Sequence, residues 1–247
     1  MSCSVRIDSV TIEDAVGRLL LGEATGAVHL CNAYTLSLAS KDQSLANQLN
    51  RGSLNLVDGK PLVWIARSLG LRHMTRRVYG PELMERTLDS GQSTGARHYL
   101  FGSCPEVIEA LSSAISTRWP EARVVGVEAP PFGELSDSDL DAAVGRFNSA
   151  KAEIVWLGLG TPKQDTVAAR FTERSDLTFV AIGAAFDFLA GEKRQAPRFM
   201  REHGLEWLFR LASEPRRLMK RYLIGNSVFI YQNLRHRPHL VTDAHDG

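Results

Sequence analysis

The residue types that could do chemistry lie in four short segments, each at the end of an apolar run. They are Val57-Asp58-Gly59, Phe101-Gly102-Ser103, the segment from Gly158 to Gln164, and Ala185-Phe186-Asp187. The third is a glycine-rich loop before a predicted helix, where free backbone N–H groups and the helix dipole suit a phosphate. It has neither P-loop nor G-x-G-x-x-G spacing, so it indicates no particular nucleotide class. A lone Asp-Gly pair is usually a turn, and each segment is a weak signal by itself.

An alternation of strands and helices must position these segments. Short β-branched runs predict six strands, at residues 28–31, 54–57, 98–101, 123–127, 153–157 and 178–182. Helical periodicity and start signals predict helices that begin near Thr11, Tyr34, Lys60, Pro81, Pro105, Asp137 and Pro162. This alternation is typical of an α/β protein with a parallel sheet and crossover helices. Ligands of such sheets bind beyond the carboxyl ends of the strands, where the four segments lie.

The C-terminal part of the chain has a different pattern. After Gly191 no strand signal follows, and Arg-rich helical sequence continues, with one helix ending and another beginning at Ser213-Glu214-Pro215. Residues 193–239 carry 11 Lys or Arg and three acids, a local charge of +8 in a chain of net charge +1. We expect a core of residues 1–192 and a basic helical appendage of residues 193–247. Its charge suits phosphate, membrane or nucleic acid, and the alternative is a solvated helix packed on the core.

Composition and motif searches exclude several classes of protein. The chain has 247 residues, of which 44% are hydrophobic, and three cysteines without a C-x-x-C pair. It is therefore neither disordered nor a disulfide-rich secreted module, and a reducing cytoplasm fits best. We find no secretory signal and no apolar run of the roughly 18 residues that span a bilayer. No G-x-S-x-G or H-E-x-x-H motif is present, and Cys31 has no evident histidine partner.

Two features that resemble functional motifs are better explained by structure. Asp137-Ser138-Asp139 has the spacing of a metal-binding Asp-x-Asp pair, but these acids open a predicted helix, where capping and the helix dipole favour them. Trp64, Trp119, Trp156 and Trp207 fall within helix or strand patterns, and we expect them in the core. We therefore predict no metal site, since a diphosphate can be neutralised by Arg, Lys and helix N-termini.

Taken in order, the segments resemble one family, the WecG/TagA/CpsF glycosyltransferases, also called glycosyltransferase family 26. The resemblance runs from about His29 to Tyr222. Its motifs here are Cys31-Asn32-Ala33, Val57-Asp58-Gly59, Arg77-Val78-Tyr79-Gly80-Pro81, Pro130-Pro131-Phe132-Gly133, Gly158 to Gln164, Gly183 to Gly191, Gly204 to Arg210, Glu214-Pro215-Arg216-Arg217 and Lys220-Arg221-Tyr222. Several motifs in one order form a specific signal, far stronger than any one of them.

The resemblance implies a Rossmann-like core and an inverting, UDP-sugar-dependent hexosyltransferase. The sugar would be N-acetylmannosamine, its uronic acid or a related hexose, and the acceptor a polyprenyl-diphosphate-linked sugar. The setting implied is bacterial surface-polysaccharide or wall-polymer synthesis, so we expect a cytoplasmic enzyme that is peripheral on the inner face of the membrane. No cofactor, no metal and no nucleic-acid partner are expected. Whether the chain forms a homo-oligomer is left open.

The same resemblance assigns roles to individual residues. Asp58 would be the general base, and Asn32 and Gln164 would help to hold the sugars. The other expected substrate contacts are Arg77, Gly102, Gly158, Gly160, Lys163 and Asp187. The residues expected to bind the acceptor diphosphate are Arg210, Arg217 and Arg221. The family commonly has a threonine two residues before the asparagine, where this chain has Leu30, so the sequence does not select the donor sugar.

Two other functions are compatible with parts of the sequence. A nucleotide-dependent oxidoreductase is disfavoured because no G-x-G-x-x-G follows the first strand. A non-catalytic basic adaptor would bind anionic lipid or nucleic acid through residues 193–239. An Asp58→Asn variant that loses activity but still binds lipid separates the transferase from the adaptor.

Overall fold

The computed structural model describes residues 4–73 and 76–240, except for the side chains of residues 202, 217 and 220–224. Its strands are β1 (Gly26–Cys31), β2 (Leu54–Val57), β3 (Arg97–Gly102), β4 (Arg123–Glu128), β5 (Ile154–Gly158) and β6 (Thr178–Ala181). They form one sheet in the order β2-β1-β6-β5-β3-β4, in which every neighbouring pair is parallel. All six predicted strands are present, which confirms the Rossmann-like α/β fold class.

The helices are α1 (Ile12–Leu20), α2 (Ala33–Ala39), α3 (Gln43–Arg51), α4 (Lys60–Ser68), α5 (Gly80–Thr94), α6 (Pro105–Arg118), α7 (Asp137–Ser149), α8 (Lys163–Thr172), α9 (Ala185–Leu189), α10 (Arg198–His203), α11 (Glu206–Ser213) and α12 (Pro215–Arg235). The seven predicted helix starts correspond to α1, α2 and α4–α8. The sequence pattern does not predict α3 and α9. Helix α9 has only five residues, too few for a helical period to show.

Both faces of the sheet are covered by helices. On one face, α1, α5, α6 and α9 pack on a cluster that contains Leu100 and Trp156. On the other face, Phe147 of α7 and Phe171 of α8 pack edge-on against Phe101, with ring centroids 5.6 Å apart in both pairs. Because the central strands are buried on both faces, they appear in the sequence as continuous apolar runs.

Helices α10, α11 and α12, here called the C-terminal helices, follow the last strand. Helix α11 ends at Ser213 and α12 begins at Pro215, which confirms the predicted break. Because the two helices are separate, Arg210 does not share one continuous helical face with Arg217 and Arg221.

The C-terminal helices are packed on the core through α12. Its Phe229 is buried in the same cluster as Leu36 of α2 and Leu62 of α4. Gly225 lies so close to Tyr34 that a Cβ at this glycine would be 2.9 Å from the tyrosine ring. The division of the chain at residue 192 stays a prediction. In the ranges 4–73 and 76–240, no helix combines the length and the hydropathy that crossing a bilayer requires.

Candidate active site

A cavity of about 440 Å³ lies at the carboxyl edge of the sheet. Strands β2, β1, β6 and β5 are consecutive in the sheet, so the loops that follow them come together at this edge. The C-terminal helices also line the cavity, through Gly204, Glu206, Trp207, Arg210 and Asn226. The volume is within the roughly 300–1,000 Å³ typical of small-molecule sites.

Most of the predicted site residues meet in this cavity. Those that line it are Asn32, Asp58, Arg77, Gly158, Gly160, Gln164, Asp187 and Arg210. Gly102 and Lys163 are not part of the lining, and the side chains of Arg217 and Arg221 lie outside the described residues. A Cβ on Gly102 would be 2.7 Å from the Gly158 backbone, so this position needs glycine for the close approach of β3 and β5.

The backbone after β2 fixes the position of Asp58. Its N–H donates a hydrogen bond to the carbonyl of Cys31, at the end of β1, over 2.8 Å. The next residue, Gly59, has a φ of +137° and directly precedes α4, which turns the chain sharply beside the carboxylate. The Asp58 side chain is 23% exposed, and its Oδ1 is buried without a hydrogen bond. This oxygen is closed to solvent and receives no hydrogen bond from the protein.

Burial raises the pKa of Asp58 from 3.8 to about 6. The positive charge of Arg77 opposes this increase, whereas the negative charge of Glu206 adds to it. Arg210 and a hydrogen bond from the Asn32 side chain lower the pKa by smaller amounts. A carboxylate with such a pKa is ionised at neutral pH and is a stronger base than an ordinary aspartate.

Arg77 connects Asp58 to the C-terminal helices. Its Nη1 lies 3.5 Å from Asp58 Oδ1, and its Nη2 donates to Oε2 of Glu206, the first residue of α11. The guanidinium also stacks over the Tyr79 ring, 4.3 Å from the centroid. The Tyr79 hydroxyl is buried without a hydrogen-bond partner, and burial raises its pKa. The arrangement places two carboxylates around one cation beside a neutral phenol.

Two amide side chains brace the loops around the cavity. Asn32 Oδ1 accepts two backbone N–H bonds in the first turn of α2, which leaves its amide nitrogen to donate to Asp58. Gln164 Oε1 accepts the N–H of Gly160 over 3.1 Å, and its nitrogen donates to the carbonyl of Ala181 over 3.1 Å. These bonds join the glycine loop to the end of β6.

This cavity lies in a chain whose sequence matches a known family. The model of the Glycosyl transferase WecG/TagA/CpsF family matches residues 2–241, nearly the whole chain. The chain belongs to this family. It is therefore a glycosyltransferase, and the resemblance found in the sequence is confirmed. The match spans both the strand-end loops and the C-terminal helices, so both sides of the cavity belong to the part that the family shares.

The cavity of this WecG/TagA/CpsF glycosyltransferase has an apolar wall at Leu30. Leu30 is 5% exposed and lines the cavity. A Cβ on Gly80, at the start of α5, would be only 3.1 Å from Leu30 Cδ2. The leucine is therefore packed against the core on one side and faces the cavity on the other.

The structure gives Asp187 a partner within the protein. Lys193 Nζ lies 3.5 Å from the Asp187 carboxylate and 3.5 Å from that of Glu214, which precedes α12. The Lys193 N–H also donates to the Asp187 carbonyl over 3.1 Å. These contacts join α9 to the start of α12.

Two tryptophans contradict the expectation that all four lie in the core. Trp119 and Trp156 are buried, as predicted. Trp64 and Trp207 line the cavity and are 59% and 43% exposed. The prediction was wrong for these two because a helical pattern does not show which of its faces borders a cavity.

Glu206 and Tyr79 are two further cavity residues that sequence reasoning missed. Both belong to motifs that carry the family resemblance, but neither received a role. A signal for Glu206 does exist, because it is one of only three acids among residues 193–239. An acid within a strongly basic segment is worth testing as the partner of a buried cation.

The described residues contain no group of three His, Cys, Asp or Glu side chains that could hold a metal ion. The Asp-x-Asp pair instead stabilises the start of α7. Ser136 and Asp139 form a capping box, and Asp137 pairs with Arg170 over 2.9 Å. Their predicted structural role is confirmed, whereas the absence of a metal requirement stays a prediction.

Proposed function

We propose that this glycosyltransferase transfers a hexose from a UDP-sugar to the hydroxyl of a polyprenyl-diphosphate-linked sugar, with inversion at the anomeric carbon. The hexose would be N-acetylmannosamine, its uronic acid or a close relative. The product would serve bacterial surface-polysaccharide or wall-polymer synthesis. One observation carries the proposal: Asp58, whose pKa is raised to about 6, lies in a cavity shared with a glycine-rich loop.

Asp58 acts as the general base. It takes the proton of the acceptor hydroxyl as the hydroxyl oxygen attacks the anomeric carbon. The bond between that carbon and the UDP oxygen breaks, and its electron pair leaves with UDP. Because attack and departure occur on opposite faces, the configuration inverts. The acceptor hydroxyl must lie within about 3 Å of Asp58, or be connected to it through one water.

The glycine loop supports binding of the donor diphosphate. Gly158 and Gly160 line the cavity beside the start of α8, where helix N–H groups and the dipole favour negative charge. Asp165, in the first turn of α8, contacts the buried His29 of β1 over 2.9 Å, which fixes the helix start against the sheet. Preorganised N–H groups stabilise the charge that develops on departing UDP without reorganisation cost.

The C-terminal side of the cavity supports binding of the acceptor. Trp64 and Trp207 offer aromatic faces to a sugar ring, which has apolar C–H surfaces. Arg210 supplies a cation at the same wall, and its guanidinium lies 5.7 Å from the Phe188 ring centroid. Arg217 and Arg221 follow on α12, and the proposal assigns all three arginines to the acceptor diphosphate.

The outer surface of the C-terminal helices supports contact with a membrane, where a polyprenyl acceptor resides. Exposed apolar side chains on α11 and α12 include Leu208, Met219, Ile230 and Leu234. They occur in the segment that carries the +8 charge. Basic residues close to an anionic bilayer contribute about 1 kcal/mol each. We therefore assign the enzyme to the inner membrane face as a peripheral protein.

A panel assay tests the proposal. Purified protein is incubated with a polyprenyl-diphosphate N-acetylglucosamine analogue and, one at a time, the UDP forms of N-acetylmannosamine, its uronic acid and glucose. UDP release and the mass of the lipid are measured with and without EDTA. We expect one donor to give both signals, with EDTA making no difference.

Two variants serve as controls for this assay. Asp58→Asn should lower both signals about 10³-fold while vesicle sedimentation is unchanged. Asp137→Asn, on the remote surface of α7, should remain active. Persistence of both signals in Asp58→Asn would exclude the base assignment. If every donor is silent, the acceptor sugar is changed to glucose, and silence there despite tight UDP binding would contradict the acceptor class.

A further inference from the structure

Glu206 is a buried acid in the most basic part of the chain. It is the first residue of α11, and its side chain is only 9% exposed. Its carboxylate accepts a hydrogen bond from Arg77, which is 129 residues earlier in the sequence. Burial of a carboxylate is costly unless a cation and hydrogen bonds compensate, so this contact determines how α11 is seated on the core.

Arg77 therefore lies between two carboxylates and contacts them unequally. It donates a hydrogen bond to Glu206, but its nearest nitrogen lies 3.5 Å from Asp58 Oδ1. That separation exceeds the roughly 2.7–2.9 Å of a charge-assisted hydrogen bond. The unequal sharing accounts for the Asp58 oxygen that is buried without a hydrogen-bond partner.

We propose that Glu206 is a positioning residue that holds the Arg77 guanidinium out of hydrogen-bond contact with Asp58, and so keeps the Asp58 carboxylate basic enough to take the proton of the acceptor hydroxyl. The inference rests on the proposed role of Asp58 as the base. Because Glu206 is on α11, the base is set up for catalysis only while the C-terminal helices are docked. Without Glu206, the guanidinium can close onto Asp58 and hydrogen-bond to its carboxylate, which makes the carboxylate a weaker base.

The charges around Asp58 come from several elements. Arg77 and Tyr79 precede α5, Lys60 is on α4, Glu206 and Arg210 are on α11, and Asp187 and Lys193 lie at and after α9. Among them, Glu206 raises the pKa of Asp58, whereas Arg77 and Arg210 lower it. Removal of the Glu206 charge thus lowers the Asp58 pKa directly, and a tighter contact with Arg77 lowers it further.

The test is the pH dependence of kcat/KM in Glu206→Gln, a variant of the same size that can still accept a hydrogen bond from Arg77. We expect the acidic limb of the kcat/KM profile to shift to lower pH by about one unit. We also expect kcat at pH 7 to fall about tenfold. Glu206→Asp, which keeps the charge, should restore the limb toward its wild-type position. Glu192→Gln removes the same charge from an exposed site just before the C-terminal helices, and it should leave the limb unchanged.

A measurement without turnover separates this inference from the proposed function. The Asp58 carboxyl carbon is titrated by ¹³C NMR in wild type and Glu206→Gln, with Asp58→Asn used for assignment. An unchanged Asp58 pKa in a folded Glu206→Gln protein overturns the inference even if its activity falls. Retained activity in Asp58→Asn overturns the proposed function instead. If Glu206→Gln does not fold, Arg77→Gln decides, because the Asp58 pKa must then rise, and an unchanged or lower value contradicts the account.

Discussion

Two groups in which acids surround an arginine, one in the cavity and one on the surface, differ in their surroundings. The cavity group is Asp58, Arg77 and Glu206, and the surface group is Asp137, Arg174 and Asp141. The acids of the cavity group are 23% and 9% exposed, whereas those of the surface group are 76% and 66% exposed. Both groups place two carboxylates beside one guanidinium, so burial is the main variable that separates them.

The difference in burial reverses the electrostatic outcome. In the cavity group, desolvation raises the pKa of Asp58 to about 6. In the surface group, hydrogen bonds and charge from Arg170, with a contribution from Arg174, lower the pKa of Asp137. An acid beside arginine is thus a candidate base where water is excluded, and an ordinary helix-start contact where it is not.

The largest difference between the cavity group and the surface group should be in the effect of a substitution on catalytic activity. Replacement of Asp58 by Asn keeps the size of the side chain but removes its basicity, so we expect kcat to fall about 10³-fold. Asp137→Asn, in the surface group, should leave kcat within a factor of about two, because its side chain lies far from the reaction. UDP release with the active donor provides the measurement. Similar losses in the two variants would remove the functional distinction between the groups.

The next largest difference between the two groups should be in the stability that is lost when the central arginine of each group is replaced. Arg77→Met leaves Glu206 buried without its cation, and we expect a loss of about 3 kcal/mol in the free energy of unfolding. Arg174→Met leaves its acids in water, so the loss should be below about 1 kcal/mol. Urea unfolding followed by circular dichroism measures both. Equal losses would show that burial of the cavity group has little energetic effect.

A smaller effect, of opposite sign, is expected from Asp58 itself. Its pKa is raised on folding from 3.8 to about 6, so the folded protein binds a proton between these pH values more readily than the unfolded chain. Stability due to this group is therefore present below about pH 4 and is lost as the pH rises through 6. Asp58→Asn should be about 2 kcal/mol more stable than wild type at pH 7, and the gap should close toward pH 4. A variant that is less stable at pH 7 would contradict the raised pKa.

The part of the site that follows the strands could be predicted from the sequence. Parallel strands end at one edge of a sheet, so Asn32, Asp58, Gly160 and Gln164 had to come close together once six strands were recognised. The same reasoning assigned Gly102 to the substrate, but a strand-end glycine can equally serve close packing. Only the distance to Gly158 separates these two uses.

The part contributed by the C-terminal helices could not be derived in the same way. The contact between Arg77 and Glu206 joins residues that are 129 positions apart, and no local period connects them. Trp64 and Trp207 occupy helical positions that resemble core positions, because an aromatic side chain facing a cavity and one facing the core have the same spacing. Helix α3 was also missed. Only three of its nine residues are buried, Leu45, Ala46 and Leu49, so its apolar pattern is short.

The most direct test of the account is the pH dependence of kcat/KM for wild type and Asp58→Asn with the active donor. The account predicts that log kcat/KM of the wild type rises with a slope of about one up to a pH near 6 and is level above it. The residual activity of Asp58→Asn should lack this limb. A wild-type profile that is flat between pH 5 and 7, or an Asp58→Asn profile that keeps the limb, would contradict the central claim that Asp58 is the base.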